Sequence, residues 1–228
     1  MSRTCTLVLI APLLVSGLYG ARAYADGPEG IYVGGNIGWS QNSYDTGFVN
    51  TLFQNEASSV ADTLTINSSS TRRSGSAWWF DAGYWIGARF GIDAGYLHLG
   101  DLSYAASATL APVAVGGPVR LGATLSSEGP ALSLVGRLPL TDALELNVRA
   151  GDYYGHTSLA SDLTFNSIAR SQSQSSNSSS LLLGAGVSYT LAEHWSARVD
   201  YQRIFRGGDS SVGRFDAGLA TLGASYTF

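Results

Sequence analysis

The sequence predicts an all-β fold: an eight-stranded antiparallel up-and-down barrel whose exterior meets lipid. Three observations carry that prediction. Eight segments alternate apolar and polar residues with period two, which sends the two sets to opposite faces of a strand. The connections between them alternate short and long, as periplasmic turns and external loops do in a transmembrane barrel. The chain opens with an export segment, and no later stretch offers 18 consecutive apolar residues that could cross a bilayer as a helix. A chain that crosses without helices needs a closed barrel, because every backbone N–H and C=O must find an internal partner.

The export segment comes first. Arg3 supplies a positive start, and Leu7 to Leu18 form an apolar run interrupted only by Pro12, Ser16 and Gly17. Ala21-Arg22-Ala23 and Ala23-Tyr24-Ala25 are both small-x-small cleavage sites. Residues 1–25 are therefore expected to be a signal peptide, cleaved after Ala23 or Ala25, and 26–228 a single barrel domain. Cys5, the only cysteine, falls in the removed segment, so no disulfide framework or thiol metal site is expected.

The strands follow in order. The first, Ile31–Ser40, puts Ile31, Val33, Ile37 and Trp39 on one face. The second, Ser76–Ile86, points Trp78, Phe80, Ala82, Tyr84 and Ile86 outward. A tight turn near Gly87-Ala88 leads to the third, with Phe90, Ile92, Ala94 and Tyr96 outward. The fourth, about Glu128–Leu138, offers Leu132, Leu134 and Leu138, and Pro139-Leu140-Thr141-Asp142 turns into a fifth with Leu144, Leu146, Val148 and Ala150. The sixth carries Leu181, Leu183, Ala185, Val187 and Tyr189; Ala192-Glu193-His194 turns it into the seventh, with Trp195, Ala197, Val199 and Tyr201. The eighth runs from Arg214 to Phe228, with Gly218, Ala220, Leu222, Ala224, Tyr226 and Phe228 on its apolar face.

The long connections look like loops. Asn67 to Ser76 is rich in serine, and Ser167 to Ser180 is nearly all Ser, Gln and Asn, compositions that bury too little apolar surface to order themselves. Leu102–Thr124 differs: its apolar, Gly-Gly-Pro-centred character predicts a hairpin continuing strands three and four beyond the membrane, turning at Gly116-Gly117-Pro118. Trp195, Tyr189, Phe90, Tyr226 and Phe228 fall near the short-turn rim, and Trp39, Trp78 and Phe80 near the long-loop rim, as two interfacial aromatic girdles would.

Charge excludes one class of partner. All 13 basic residues are arginine, and the formal charge of −4 becomes −6 once Arg3 and Arg22 are lost, which argues against nucleic acid. By parity the charged residues Asp81, Asp93, Arg137, Glu145, Arg149, Arg198 and Asp200 point into the lumen. Asp81, Asp93, Arg149 and Asp200 are expected near mid-height, and Arg137, Glu145 and Arg198 nearer the periplasmic end. An eight-stranded barrel has room for little besides its own side chains, so these groups are expected to interlock as ion pairs that plug it. A network that rearranges to gate a small pore is the alternative.

The motifs now permit a family comparison. Gly38-Trp39-Ser40-Gln41 with Tyr44-Asp45-Thr46-Gly47-Phe48, Gly91-Ile92-Asp93-Ala94-Gly95-Tyr96 with Leu99-Gly100, Leu140-Thr141-Asp142, Tyr201-Gln202-Arg203 and the final Leu222-Gly223-Ala224-Ser225-Tyr226-Thr227-Phe228 resemble the barrels of the outer membrane protein A family. The resemblance spans about residues 30–228 and implies the outer membrane of a Gram-negative cell. It implies a non-enzymatic role in envelope integrity and in displaying surface loops, with no cofactor. The implied partners are outer-membrane lipid and lipopolysaccharide, the barrel-assembly machinery, and host or phage ligands at loops Asn42 to Ser76 and Thr157 to Ser180. The periplasmic peptidoglycan-binding domain found in many relatives is not expected, since this sequence stops at Phe228. The last strand resembles the signal read by the assembly machinery, with Tyr226 and Phe228 as the residues read.

Other chemistry is thin. His194 belongs to a short turn, while His98 and His156 are expected near external strand ends. His156-Thr157-Ser158 resembles the His-x-Ser of outer-membrane lipid A deacylases and makes a lipid A-modifying esterase a second alternative. Leu159 stands where that family's asparagine is expected, and no acid follows at the family's spacing. No catalytic, cofactor or metal residues are assigned. The glycines of strands one, two and six open no helix and so make no phosphate loop.

Overall fold

The strand pattern closes on itself. The computed structural model describes residues 30–44, 46–58, 63–111, 117–165 and 168–228, and among these it holds nine strands and one helix. They are β1 (Gly30–Tyr44), α1 (Thr46–Ser58), β2 (Thr63–Arg72), β3 (Ser74–Ile86), β4 (Phe90–Ala111), β5 (Pro118–Pro139), β6 (Leu144–Phe165), β7 (Ile168–Thr190), β8 (Trp195–Gly207) and β9 (Phe215–Thr227). Strands β1, β3, β4, β5, β6, β7, β8 and β9 form an eight-membered antiparallel ring, closed by β1 against β9 from Tyr32↔Thr227 to Tyr44↔Phe215. Closure removes the free edges that lipid cannot satisfy. The signal peptide expected over 1–25 lies outside the described residues.

Period two holds around the ring. Ile31, Val33, Ile37, Phe80, Ile92, Leu132, Leu134, Val148, Leu183, Val199 and Leu222 are exposed on the outer face. Trp39, Phe80, Tyr96, Tyr154 and Tyr201 mark the upper border of that apolar band, and Phe90, Tyr189, Trp195 and Phe228 the lower. Along the lower border His194 packs on Tyr226, whose ring meets Trp195 and Phe228 edge-on.

The two sides of the barrel differ in height. β4, β5, β6 and β7 run 22, 22, 22 and 23 residues, against 15, 13 and 13 for β1, β8 and β9. At about 3.3 Å per residue the long strands extend roughly 40 Å, measured along the strand, beyond a band that uses about ten residues. β2 completes this wall by pairing with the upper half of β4, from Thr63↔Ala111 to Arg72↔Ser103. β2 and β3 thus behave as one long strand broken at Arg73, and β4 changes partner from β3 to β2 across an irregularity between His98 and Asp101. Gly100 permits the change: its φ of +72° suits glycine, and a Cβ there would press on the Ser76 carbonyl oxygen.

The wall corrects two loop expectations and extends a third. Asn42 to Ser76 holds α1 and β2, and the described part of the Ser/Gln/Asn tract, Ile168 to Ser180, belongs to β7, paired with β6 from Phe165↔Ile168 onward. Its order comes from the neighbouring backbone ladder rather than from its own apolar surface, which composition cannot report. The Leu102–Thr124 hairpin forms as expected, with β4 ending at Ala111 and β5 starting at Pro118; Gly116 lies outside the described residues. Its apolar side faces inward: Leu102, Tyr104, Ala106, Val119, Leu121 and Ala123 are buried under Val49 and Phe53 of α1. Phe53 stacks on Tyr104 at 6.4 Å, and the Tyr104 hydroxyl donates to Asn50 Oδ1 at 2.8 Å.

Candidate functional site

The lumen holds the charges that parity assigned to it. Asp81 on β3 accepts two hydrogen bonds from Arg198 on β8, both at 2.9 Å. Asp93 on β4 meets Arg149 Nη2 at 2.8 Å and accepts from the Tyr32 hydroxyl at 3.1 Å. Arg149 Nη2 also stands 3.8 Å from Asp81, and Arg198 Nε 3.5 Å from Asp200. Five charges from four strands thus interlock, each nearly removed from solvent. Arg198 belongs to this cluster and also lines, with Arg137 and Glu145, the cavity at the periplasmic mouth. The backbone makes room: a Cβ on Gly34 would lie 2.6 Å from Asp81 Oδ1, and one on Gly186 would collide with Asp200 Oδ1.

Arg137 and Glu145 lie below and outside that cluster. Arg137 Nε donates to the Ala88 carbonyl at 2.7 Å, and its guanidinium lies 4.3 Å over the Trp85 ring. It clamps the β3–β4 turn. Glu145 lines a cavity of about 60 Å³ at the periplasmic mouth, and among the described residues no ion pair joins it to the cluster.

Above the cluster the lumen is mainly apolar, with Gln202 and the hydrogen-bonded Ser127 and Thr157 buried among the apolar residues. Trp79, Leu97, Leu99, Leu182, Ile204 and Leu219 are all 1% exposed or less and pack with Tyr153 across the barrel. Arg149 touches the underside of this cap, its guanidinium 4.5 Å from the Trp79 ring. The cap runs without a break into the core beneath α1 and the wall. With apolar neighbours on the lipid face, as in Leu181-Leu182-Leu183, the alternation that reveals a polar lumen disappears there.

His98 and His156 sit mid-strand where the wall leaves the band, rather than at strand ends, while His194 stays in the β7–β8 turn. His98 Nδ1 lies 3.2 Å from Glu128 Oε2. His156 Nδ1 lies 2.7 Å from Asn177 Oδ1, and its Nε2 lies 3.4 Å from Ser158 Oγ, all on the exposed outer face. Asn177 occupies the orienting place of a triad. A neutral amide gives the imidazolium of an acyl transfer no anionic partner, and the Ser–His contact is long. The short-side rim is fastened separately. Asp209, in the β8–β9 connection, accepts from Ser176 Oγ at 2.5 Å and from the Ser211 N–H at 2.7 Å, and these bonds hold its carboxyl below the usual range.

An eight-stranded ring with an apolar exterior, aromatic borders, short turns on one rim and tall strands on the other is an outer-membrane β-barrel. The chain belongs to the OmpA-like transmembrane domain family, whose model matches residues 27–228. The fold is similar to that of Neisserial surface protein A (NspA), with 14% identity, 87% of this chain and 97% of that one covered, and a TM-score of 0.50. It is also similar to the outer membrane protease OmpT from Escherichia coli, with 11% identity, 90% and 99% covered, and a TM-score of 0.51. The attachment invasion locus protein Ail of Yersinia pestis aligns with 13% identity, 88% and 100% covered, and a TM-score of 0.45. No curated protein sequence matches the chain.

Proposed function

We propose that the chain is a non-enzymatic, ion-tight outer-membrane anchor that supports envelope integrity and presents a rigid β wall to host, phage or other cells. The observation that carries this reading is the continuity of the apolar cap over Asp81, Asp93, Arg149, Arg198 and Asp200 with the core beneath α1. A sealed lumen has no use as a conduit. The tall wall, by contrast, carries exposed polar side chains such as Ser103, Ser107, Thr124 and Ser175 on its outer face, a broad surface held at fixed geometry. The bond from Asp81 to Arg198 is bidentate, which favours a static plug over a rearranging gate. Tyr226 and Phe228, packed edge to face at 5.0 Å on the lower border, are the residues we assign to recognition by the barrel-assembly machinery.

The test is a chain trimmed at the membrane border, with β2 and the upper parts of β4 to β7 replaced by short turns. It is expected to assemble and to keep the heat-dependent shift in gel mobility of an intact barrel. Cell adhesion or phage sensitivity is expected to fall. Unchanged adhesion, phage sensitivity and envelope permeability in the trimmed strain would contradict the display role.

A further inference from the structure

The apolar band is notched at one place. The neighbouring strands β1 and β8 carry Trp39 and Tyr201 at its upper border; on β9 between them the outward residues are Gly218 and Ala220. Gly218 pairs with Gln41 of β1 and Arg203 of β8, and Ala220 with Trp39 of β1 and Tyr201 of β8. Trp39 and Tyr201 therefore stand as walls on either side of a small-residue floor, two strand spacings or about 10 Å apart at the backbone. The resulting groove measures about 520 Å³, and Ser40, Gln41, Asn42, Ser43 and Ser74 line it above these residues. The Tyr201 hydroxyl leans over the floor, 2.8 Å from where a Cβ of Gly218 would lie.

The upper end of the groove is cationic. Arg73, at the β2–β3 break, and Arg203, one outward step above Tyr201, both line it and are both exposed. The Arg73 backbone is pinned by the Asn42 N–H at 2.7 Å. Arg203 is steadied over the Phe205 ring at 5.1 Å and by Asp216 at 3.5 Å. Asp216 offsets one of the two positive charges, so one net positive charge remains at the mouth, just above the aromatic border where outer-leaflet head groups lie.

We propose that this groove is a binding site for one phosphorylated, acylated lipid of the outer leaflet. An acyl chain lies over Gly218 and Ala220 between Trp39 and Tyr201, and a phosphate is held by Arg73 and Arg203. The groove commits to a lipid because its lower walls, Trp39 and Tyr201, are aromatic and exposed on the lipid-facing side, while polar and charged groups gather at its upper end. It selects a phosphorylated one because guanidinium groups pair with phosphate oxygens in forked geometry. The inference rests on the outer-membrane placement of the barrel and is independent of the display role.

Native mass spectrometry of the full chain released from detergent, titrated with bis-phosphorylated lipid A, tests it. The unaltered chain is expected to retain one lipid. The double variant Arg73→Gln/Arg203→Gln is expected to bind at least ~10-fold more weakly, the loss of a charge-assisted contact. Ala220→Trp, which fills the groove and leaves both arginines, is expected to abolish retention, and Arg170→Gln at the wall tip to change nothing. The gel-mobility shift on heating confirms that each variant is folded, so loss of binding is separable from loss of the barrel. Equal retention of fully dephosphorylated lipid A would overturn the phosphate assignment. Displacement by millimolar inorganic phosphate would overturn the lipid in favour of the free anion. Undiminished binding by both groove variants would overturn the site.

Discussion

Removing Arg198 is the sharpest perturbation of the plug. Its guanidinium makes two hydrogen bonds of 2.9 Å to Asp81 and a longer contact to Asp200, with both principal partners buried. Hydrogen bonds to charged groups contribute about 1.5–3 kcal/mol each, and stripping one partner from a buried pair costs about 3–5 kcal/mol. Arg149 remains 3.8 Å from Asp81 and compensates in part, so the expected loss for Arg198→Leu is about 3 kcal/mol, the lower end of that range. Removing Asp81 as well deletes the stranded charge, so the double variant Asp81→Leu/Arg198→Leu should recover much of the loss. Reversible urea unfolding in lipid vesicles, followed by tryptophan fluorescence, supplies the four stabilities of the cycle. A coupling of about 2 kcal/mol or more is expected; additivity within about 0.5 kcal/mol would refute the interlocked plug.

The remaining predictions concern the cap, the wall, the rim and the outer face. Trp79→Ala should cost about 3–5 kcal/mol by the same unfolding measurement, since the side chain is fully buried and its neighbours belong to a closed ring that cannot collapse. Phe53→Ala should release α1 from the wall, read as faster amide exchange across Thr46–Ser58 with the membrane strands unchanged. Asp209 has a depressed carboxyl, so its anchoring is complete above the ordinary aspartate range and fades as pH falls below about 4, through its own lower value. Exchange at Ser211 and Val212, whose N–H groups donate to Asp209, should quicken in that window, and Asp209→Asn should remove the dependence. Ser158→Ala should leave the acylation pattern of lipid A in mass spectra unchanged; an altered pattern would restore the esterase reading.

The membrane half was legible in the sequence because lipid forces contrast. Ile31, Val33, Ile37 and Trp39 must be apolar where the adjoining inward positions need not be, so period two shows through and parity then places every lumen charge on the correct face. Pairing among those charges was less legible. Asp81 on β3 and Arg198 on β8 are separated around the ring by β1 and β9, so only the closed sheet brings them together. The wall was hidden for the opposite reason. Outside the membrane Ser171 to Ser180 can be a strand with polar residues on both faces, held by the β6 ladder, and such a strand has no alternation to read. α1 left a fainter trace in Phe48-Val49 and Leu52-Phe53, two apolar pairs one helical turn apart, a spacing that fits a helix as well as a loop until the wall supplies something to cover.

The central claim is that the barrel is sealed, its buried ion pairs lying under an apolar cap. Conductance of the purified, folded chain in planar bilayers tests it most directly. The structure predicts a silent bilayer across a range of voltages, broken at most by brief, small events. Large, persistently open channels would contradict the account.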